Sequence, residues 1–466
     1  EAIEKINTSI LPGDFSAKIT KLTEQIASMR ALMPPTPTFI KGLSALLGAD
    51  KKHTALILLQ NDSESRPTGG FIGSVLFAEV QNSRMSLTFQ DVYDIDRGFE
   101  GNVEPPEEIK NLTDKWFFRD SNYSPDFPTS ARKAIWFYEQ EKHIKVDTVI
   151  AINQSLLQKL LEITGPISVE GLAKPLDKNN YQTIISYIVE SKLTVPYQPK
   201  KVLKDFIEVF QKQFYSVKKP AKIANVFLKE ISAANILGYS DIAEVENLFK
   251  FIGMDGAMIA TSQNEDYLNV IATSINGNKT DSFIDQEISH TTYVYSNSEL
   301  INEVSISRHH NYSRADEAKI KSILADFGYT DVPEWIMEIF GKARNKAIFR
   351  VYVPKGSEFI AADGKIKNIK TLYDKDTDKT YFSFIMNVHP GQTITANLRY
   401  KLPFKLDYAN PAAYRLITQR QPGLIISKFT KKIIADGSLE ILYSYPSNAE
   451  KISLAAYNLF AALIKS

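Results

Sequence analysis

VDTVIAINQSLLQKLLEITGPISV, from Val146 to Val169, is the stretch that decides the fold class. Val146 to Ile152 reads as a buried strand, rich in the β-branched residues that fit a pleated sheet. Asn153 then caps a helix whose Leu156, Leu157, Leu160 and Leu161 fall on one face. Gly165 closes that helix in the position that favours glycine, and Pro166 prevents it from continuing. A strand feeding a helix and returning to a strand by Val169 is the signature of an α/β core.

Working upstream, Ala55 to Gln60, Phe71 to Val80 and Met85 to Val92 read as strands, with Gln81-Asn82-Ser83-Arg84 as a hairpin loop. Arg66-Pro67-Thr68-Gly69-Gly70-Phe71-Ile72-Gly73-Ser74 interrupts them, with two glycines supplying unusual backbone angles. Between the strands lies Phe117-Phe118-Arg119-Asp120-Ser121-Asn122-Tyr123-Ser124-Pro125-Asp126-Phe127-Pro128-Thr129-Ser130. Its prolines remove backbone donors and push the preceding residues into extended conformations, so a polar loop stiffened by aromatics is expected. Ser130 can cap the following helix through Ala134, Ile135 and Tyr138. Working downstream, Tyr181 to about Lys250 reads as mainly helical, with Val202, Phe206, Val209, Phe210 and Phe214 as an apolar stripe on a lysine-rich helix. Met258 to Ala260 and Val270 to Ser274 fit strand or helix.

These motifs, in this order, carry a resemblance. RPTGGFIGS, DVYDID (Asp91 to Asp96), FRDSNYSPDFPTSA and the 146–169 unit, followed by GMDGAM (Gly253 to Met258), DYLNVIATSINGNKTDSFI (Asp266 to Ile284) and RQPG (Arg420 to Gly423), resemble the exported bacterial proteins grouped as domain of unknown function 4012. The resemblance covers most of the chain from about residue 50 onward. More distantly, the core is similar to the LytR–CpsA–Psr enzymes, which transfer glycopolymers from a polyprenyl-diphosphate carrier to the cell wall. It implies an αβα sandwich, a location in the bacterial envelope or on the cell surface, and a cell-wall glycan or polyprenyl lipid as partner. It also implies a membrane anchor upstream of the first helix.

Composition agrees with export and narrows the chemistry. The chain has 466 residues, so two or three domains are expected, and 44% hydrophobic with 23% charged residues is an ordinary globular balance. A net charge of +1 gives no support to nucleic-acid binding. The absence of cysteine excludes thiol nucleophiles, disulfides and cysteine-ligated metals. No run of about 18 apolar residues occurs, so no segment of this sequence reads as a membrane-spanning helix. The chain opens at Glu1 without a signal-like segment, and the expectation is a removed leader or anchor, or a sequence that begins inside a longer protein.

Four divisions are expected. Residues 1–50 form a helical segment in which Asp14 caps a helix to Met33, with Ile19, Leu22, Ile26, Met29 and Met33 as one seam and Pro34, Pro35 and Pro37 as its end. Residues 51–287 form the α/β core. Residues 288–445 hold short strands at roughly ten-residue spacing, expected as an all-β immunoglobulin-like sandwich with a helical insertion at 313–341. Residues 446–466 are expected as a docked C-terminal helix.

Candidate chemistry concentrates in the polar segments. Arg66, Arg119 and Arg97 offer forks that match phosphate oxygens, and Thr68, Gly69 and Gly70 offer backbone amides for an anion, with Asn122 beside them. The alternative is that Arg66 and Arg119 make buried pairs with nearby aspartates. Asp94 and Asp96 would share a side of an extended chain and hold Mg²⁺, or else serve as loop-capping aspartates. Asp120 or Asp126 would act as general base on a sugar hydroxyl, or else close its own loop. The transferases carry an Arg-Ser-Asp-Thr motif whose aspartate helps bind magnesium. Against it, Arg66 fits but Thr68 to Gly70 offer no carboxylate, and the arginine-rich late helix is replaced by lysines. His309-His310 point to opposite faces of a strand, which argues against a chelate. Lys200, Lys201, Lys204, Lys212, Lys218 and Lys219 read as a solvated helix face, with a membrane-facing patch as the alternative. The functional expectation is an exported envelope protein that binds an anionic polyprenyl-phosphate or glycopolymer in a cleft of the core, with glycopolymer ligation as an added activity. The rival is a non-catalytic surface scaffold.

Overall fold

The computed structural model describes residues 36–107, 109–111, 113–192, 200–364, 366, 369–408, 412–445 and 457–465. The expected helix from Asp14 to Met33 lies outside the described residues. Helix α1 (Thr36–Leu46) carries Pro37 in its first turn, where the missing N–H costs nothing. That proline, expected as part of a helix stop, therefore lies inside a helix start.

The first half is built on a five-stranded sheet of order β3-β2-β1-β4-β5, from β1 (His53–Arg66), β2 (Gly69–Gln81), β3 (Arg84–Asp91), β4 (Thr148–Asn153) and β5 (Ile236–Ser240). Asn82 and Ser83 both take positive φ (50° and 60°), so the β2–β3 hairpin has the twist of a two-residue primed turn. β1 and β4 run parallel, which requires the long crossover that carries α2 (Val92–Gly98) and α3 (Phe127–Lys142). Leu56, Leu58, Val75, Val149 and Ala151 pack one sheet face against Ala131, Ala134 and Tyr138 of α3. The cap of α3 is Asp126 and not Ser130. The opposite face is covered by α4 (Gln154–Thr164), α5 (Tyr181–Ser191), α6 (Lys201–Ser216), α7 (Pro220–Ser232) and α8 (Ala243–Phe251). Strand β5 was hidden inside the segment expected as helical. The unit at 146–169 has its strand and helix as expected, but Ile167 makes only an isolated bridge to Leu176 where a second strand was expected.

The second half is two sheets of mixed direction. One has order β10-β13-β8-β7-β15 and the other β11-β12-β9-β6-β14-β17-β16. Their strands are β6 (Asp266–Ser274), β7 (Ile284–Val294), β8 (Leu300–His310), β9 (Asn345–Pro354), β10 (Glu358–Gly364), β11 (Lys370–Asp374), β12 (Lys379–Val388), β13 (Thr393–Lys401), β14 (Ala412–Gln419), β15 (Ile426–Ala435), β16 (Glu440–Tyr445) and β17 (Tyr457–Lys465). Val304, Ile306 and Leu398 of the first sheet share one core with Val270, Phe349 and Phe384 of the second. β6 and β14 pair in parallel, as do β7 and β15, so the sheets do not show the immunoglobulin-like pattern expected from the short alternating strands. A capping box at Ser313 and Asp316 starts α9 (Arg314–Asp326) within the expected insertion.

Two boundaries move. β6, placed with the α/β core from sequence, lies in the seven-stranded sheet because its nine residues are buried on both faces. The C-terminal segment expected as a helix is strand over Tyr457–Lys465, hydrogen-bonded between β14 and β16. Tertiary pairing overrides local propensity there, as it commonly does for short apolar runs.

Candidate functional site

The RPTGG turn joins β1 to β2 through Pro67 and Thr68, with Arg66 paired to Gly69. Gly69 has φ +137°, and a Cβ on it would lie 2.1 Å from Gln60 Oε1 and 2.2 Å from Asn153 Oδ1. A Cβ on Gly70 would lie 2.0 Å from the backbone of Asn61. The glycines thus serve close chain packing. The Arg66 guanidinium, 6% exposed, donates to the carbonyls of Ser65 and Ser274 at 3.1 Å each and to Glu64 Oε1 at 2.9 Å. Asn122 Nδ2 donates to the Gly70 carbonyl at 2.9 Å, and Thr68 is buried. Where an anion site was expected of Arg66, Thr68, Gly69, Gly70 and Asn122, Arg66 ties the turn to β6 through Ser274, and Asn122 and the two glycines close the turn within the first half.

Arg119 sits beside this junction over the rings of Phe117 (4.4 Å) and Tyr93 (5.5 Å). Its Nη1 donates to Asp96 Oδ2 at 2.8 Å, and its Nε lies 3.6 Å from Asp120 Oδ2. Burial pushes Asp96 up to about 6 despite the opposing guanidinium. Burial also raises Asp120, against the pull of Arg66 and Arg119. Asp94 and Asp96 stand on helix α2, not on extended chain, and they diverge: Asp94 pairs with exposed Arg97 while Asp96 turns inward. The two therefore do not fit the Mg²⁺ pair expected of them. Among the described residues no group of three or more histidines and carboxylates is arranged to hold a metal. Asp126 accepts from Thr129 N (3.0 Å), Thr129 Oγ1 (2.6 Å) and Met258 N (3.0 Å). It is a helix cap tied to a second segment, the loop-closing alternative to a general base.

A cavity of about 1330 Å³ opens next to these groups, on the sheet face away from α3. Its floor is Ile57, Leu59, Leu76 and Ile152, and its walls are Leu156, Leu160, Ile185, Leu203, Ile207 and Phe210. The roof explains its existence. On α6, only Phe206 is fully buried, and the rest of that apolar stripe is half-buried over the open space. Small-molecule sites usually span roughly 300–1,000 Å³, so this one has room for a larger body.

The rim is charged. Glu64, Asp91, Tyr93, Glu190, Lys200 and Lys279 stand around it. Lys200, read from sequence as a solvated lysine, is only 8% exposed. Its Nζ donates to Asp91 Oδ1 at 2.7 Å and to the Gly73 carbonyl, and lies 5.0 Å from the Tyr93 ring centre. Burial lowers its pKa, opposed by Asp91. Lys279 pairs with Glu190 at 2.5 Å. Sequence reasoning missed Lys200, Tyr93 and Glu64. Glu64 supplies next to Arg66 the carboxylate that the turn itself lacks; the only signal was its two-residue spacing from the arginine.

Residues 50–188 match the model of the family described as a protein of unknown function, DUF4012, the family that the sequence motifs resemble. No curated protein matches the chain. Among solved structures, protein gbs0355 from Streptococcus agalactiae is 15% identical, with 45% of this chain and 76% of that chain covered and a TM-score of 0.32. B. subtilis TagV is 11% identical over 60% of this chain and 99% of its own, with a TM-score of 0.27. B. subtilis TagU is 10% identical over 48% and 87%, with a TM-score of 0.26. At those TM-scores the likeness assigns no activity.

Proposed function

We propose that this is an exported cell-envelope protein that holds an anionic, lipid-linked envelope component, a polyprenyl phosphate or a glycopolymer carried on one, in the cavity beneath α6. The observation that carries this reading is the pairing of a large, apolar-floored cavity with a buried lysine, Lys200, at its rim. The prenyl chain would lie between the sheet and α4–α6, where its burial is favourable at about 25 cal/mol per Å² of apolar surface. The phosphate would displace Asp91 as the partner of Lys200, because an ammonium in a low-dielectric rim gains most from a doubly acceptor anion. Export rests on the cysteine-free composition and on the family resemblance.

Holding is favoured over transfer. Arg66 is closed on Glu64, Arg119 is closed on Asp96, and Asp126 is fully used as a cap. Those pairs occupy Arg66, Arg119 and Asp126 and leave Asp120, 3.6 Å from Arg119 Nε, as the remaining candidate base among the described residues, which supports a binding or scaffold role. The cavity variant Ile185→Trp tests the reading, with polyprenyl phosphate in detergent and native mass spectrometry as the readout. A one-to-one complex that Ile185→Trp weakens at least tenfold is expected. A wild-type chain that takes up no prenyl phosphate would overturn it. With a polyprenyl-diphosphate-linked glycan as donor, transfer of the glycan to added peptidoglycan fragments with release of the lipid carrier would overturn the preference for holding.

A further inference from the structure

The roof of the cavity carries a charge pattern on its outside that the cavity does not explain. From Val209 to Lys229 the sequence VFQKQFYSVKKPAKIANVFLK holds five lysines and no acidic residue. Lys212, Lys218, Lys219, Lys222 and Lys229 are all exposed, and among the described residues none is in ion-pair contact, Lys222 feeling only the more distant charge of Glu162, which pairs with Lys178. Lys201 and Lys204, earlier on α6, behave differently: each faces a carboxylate of its own helix, Asp205 at 2.5 Å and Glu208 at 3.9 Å. Lysines on a merely solvated helix face usually alternate with such carboxylates. The same stretch exposes Tyr215 (63%) and Leu228 (38%). On the opposite side of the same two helices, Phe210 and Phe227 line the cavity.

We propose that the α6–α7 turn docks on an anionic bilayer, so that the two roof helices lie between the membrane surface and the cavity. The inference rests on the cavity as a lipid site, since only that reading gives the protein a reason to face a bilayer here. Basic side chains near an anionic leaflet are drawn to it, and an aromatic and a leucine among them add the interfacial contact that charge alone lacks. A soluble anionic polymer would use the lysines but would leave Tyr215 and Leu228 idle. A lipid ligand that enters beneath Phe210 and Phe227 would cross the least water if the roof already rests on its source.

The test uses the full chain and sedimentation with vesicles free of prenyl lipid. Vesicles of phosphatidylglycerol and phosphatidylcholine are expected to bind the chain, and phosphatidylcholine alone is not. Binding is expected to fall at 1 M salt, where the screening length shrinks to about 3 Å. Lys218→Gln with Lys219→Gln is expected to lower partitioning about 30-fold, while Lys428→Gln with Lys432→Gln, exposed lysines of β15, leaves it unchanged. Circular dichroism confirms that both double variants are folded. The proposal is overturned by no binding to the anionic vesicles, by equal binding to the neutral ones, by indifference to the 218/219 pair, or by binding to soluble polyphosphate with none to vesicles. Uptake of polyprenyl phosphate from detergent, measured in parallel, separates the two readings. Intact uptake without vesicle binding sinks the docking surface alone, and vesicle binding without uptake sinks the cavity alone.

Discussion

Gln421 Nε2 donates to the carbonyl of Arg66 at 2.9 Å, joining two turns 355 residues apart. The same amide group donates to Ala272 O and accepts from Ala272 N, both at 2.7 Å, so one fully buried side chain stitches the RPTGG turn to β6. Gln421→Ala leaves three buried backbone groups without partners. Each such loss costs about 1–3 kcal/mol, so a destabilisation of about 4 kcal/mol is expected. Urea unfolding checks it; a loss below about 1 kcal/mol would show that water replaces the amide.

Asp96 sets a pH dependence. Its unfolded value is 3.8 and burial raises it to about 6, so the native chain binds the proton more tightly than the unfolded chain. The stability this adds is present below pH 3.8 and is lost as pH rises through about 6. The full swing is about 3 kcal/mol. Unfolding free energies at pH 4 and pH 7 should therefore differ less in Asp96→Asn than in the wild type. A parallel pair of curves would refute the assignment.

Lys431 works in the opposite sense inside the β half. Its Nζ lies 2.8 Å from His290 Nδ1 and 3.1 Å from Tyr414 OH, and it also donates to Thr292. Tyr414 in turn bonds Asp266 at 2.5 Å. Burial lowers Lys431 from 10.5 to about 7, with Asp266 opposing. The unfolded chain thus holds the proton more tightly, and stability rises as pH climbs from about 7 toward 10.5. Lys431→Met should remove that rise, seen as thermal midpoints at pH 7 and 9.5 that shift less than those of the wild type.

Lys200→Met should weaken polyprenyl phosphate about tenfold, the scale of one charge-assisted contact, and leave uncharged polyprenol unaffected. Asp91 would stay in place because it also caps α2 through the Tyr93 amide at 2.9 Å. Equal losses for both ligands would place Lys200 in the frame of the rim and not at the phosphate.

The sequence by itself determined the α/β core. The strand and leucine face of 146–169, the hairpin at Asn82-Ser83 and the family motifs are local patterns, written within a few residues of one another. It also marked Arg66 and Arg119 as unusual, and left open whether they bind phosphate or pair internally. Only the tertiary structure decided that, by bringing Ser274 and Gln421 to Arg66, and Asp96 to Arg119, across tens to hundreds of residues. It likewise turned Lys200 inward and made residues 457–465 a strand, because burial and strand pairing are supplied by partners brought together only by the fold. The cavity has no sequence signature of its own. It exists because α6 spans the sheet without filling the space beneath it, and a gap between packed elements is a property of their placement, not of any one segment.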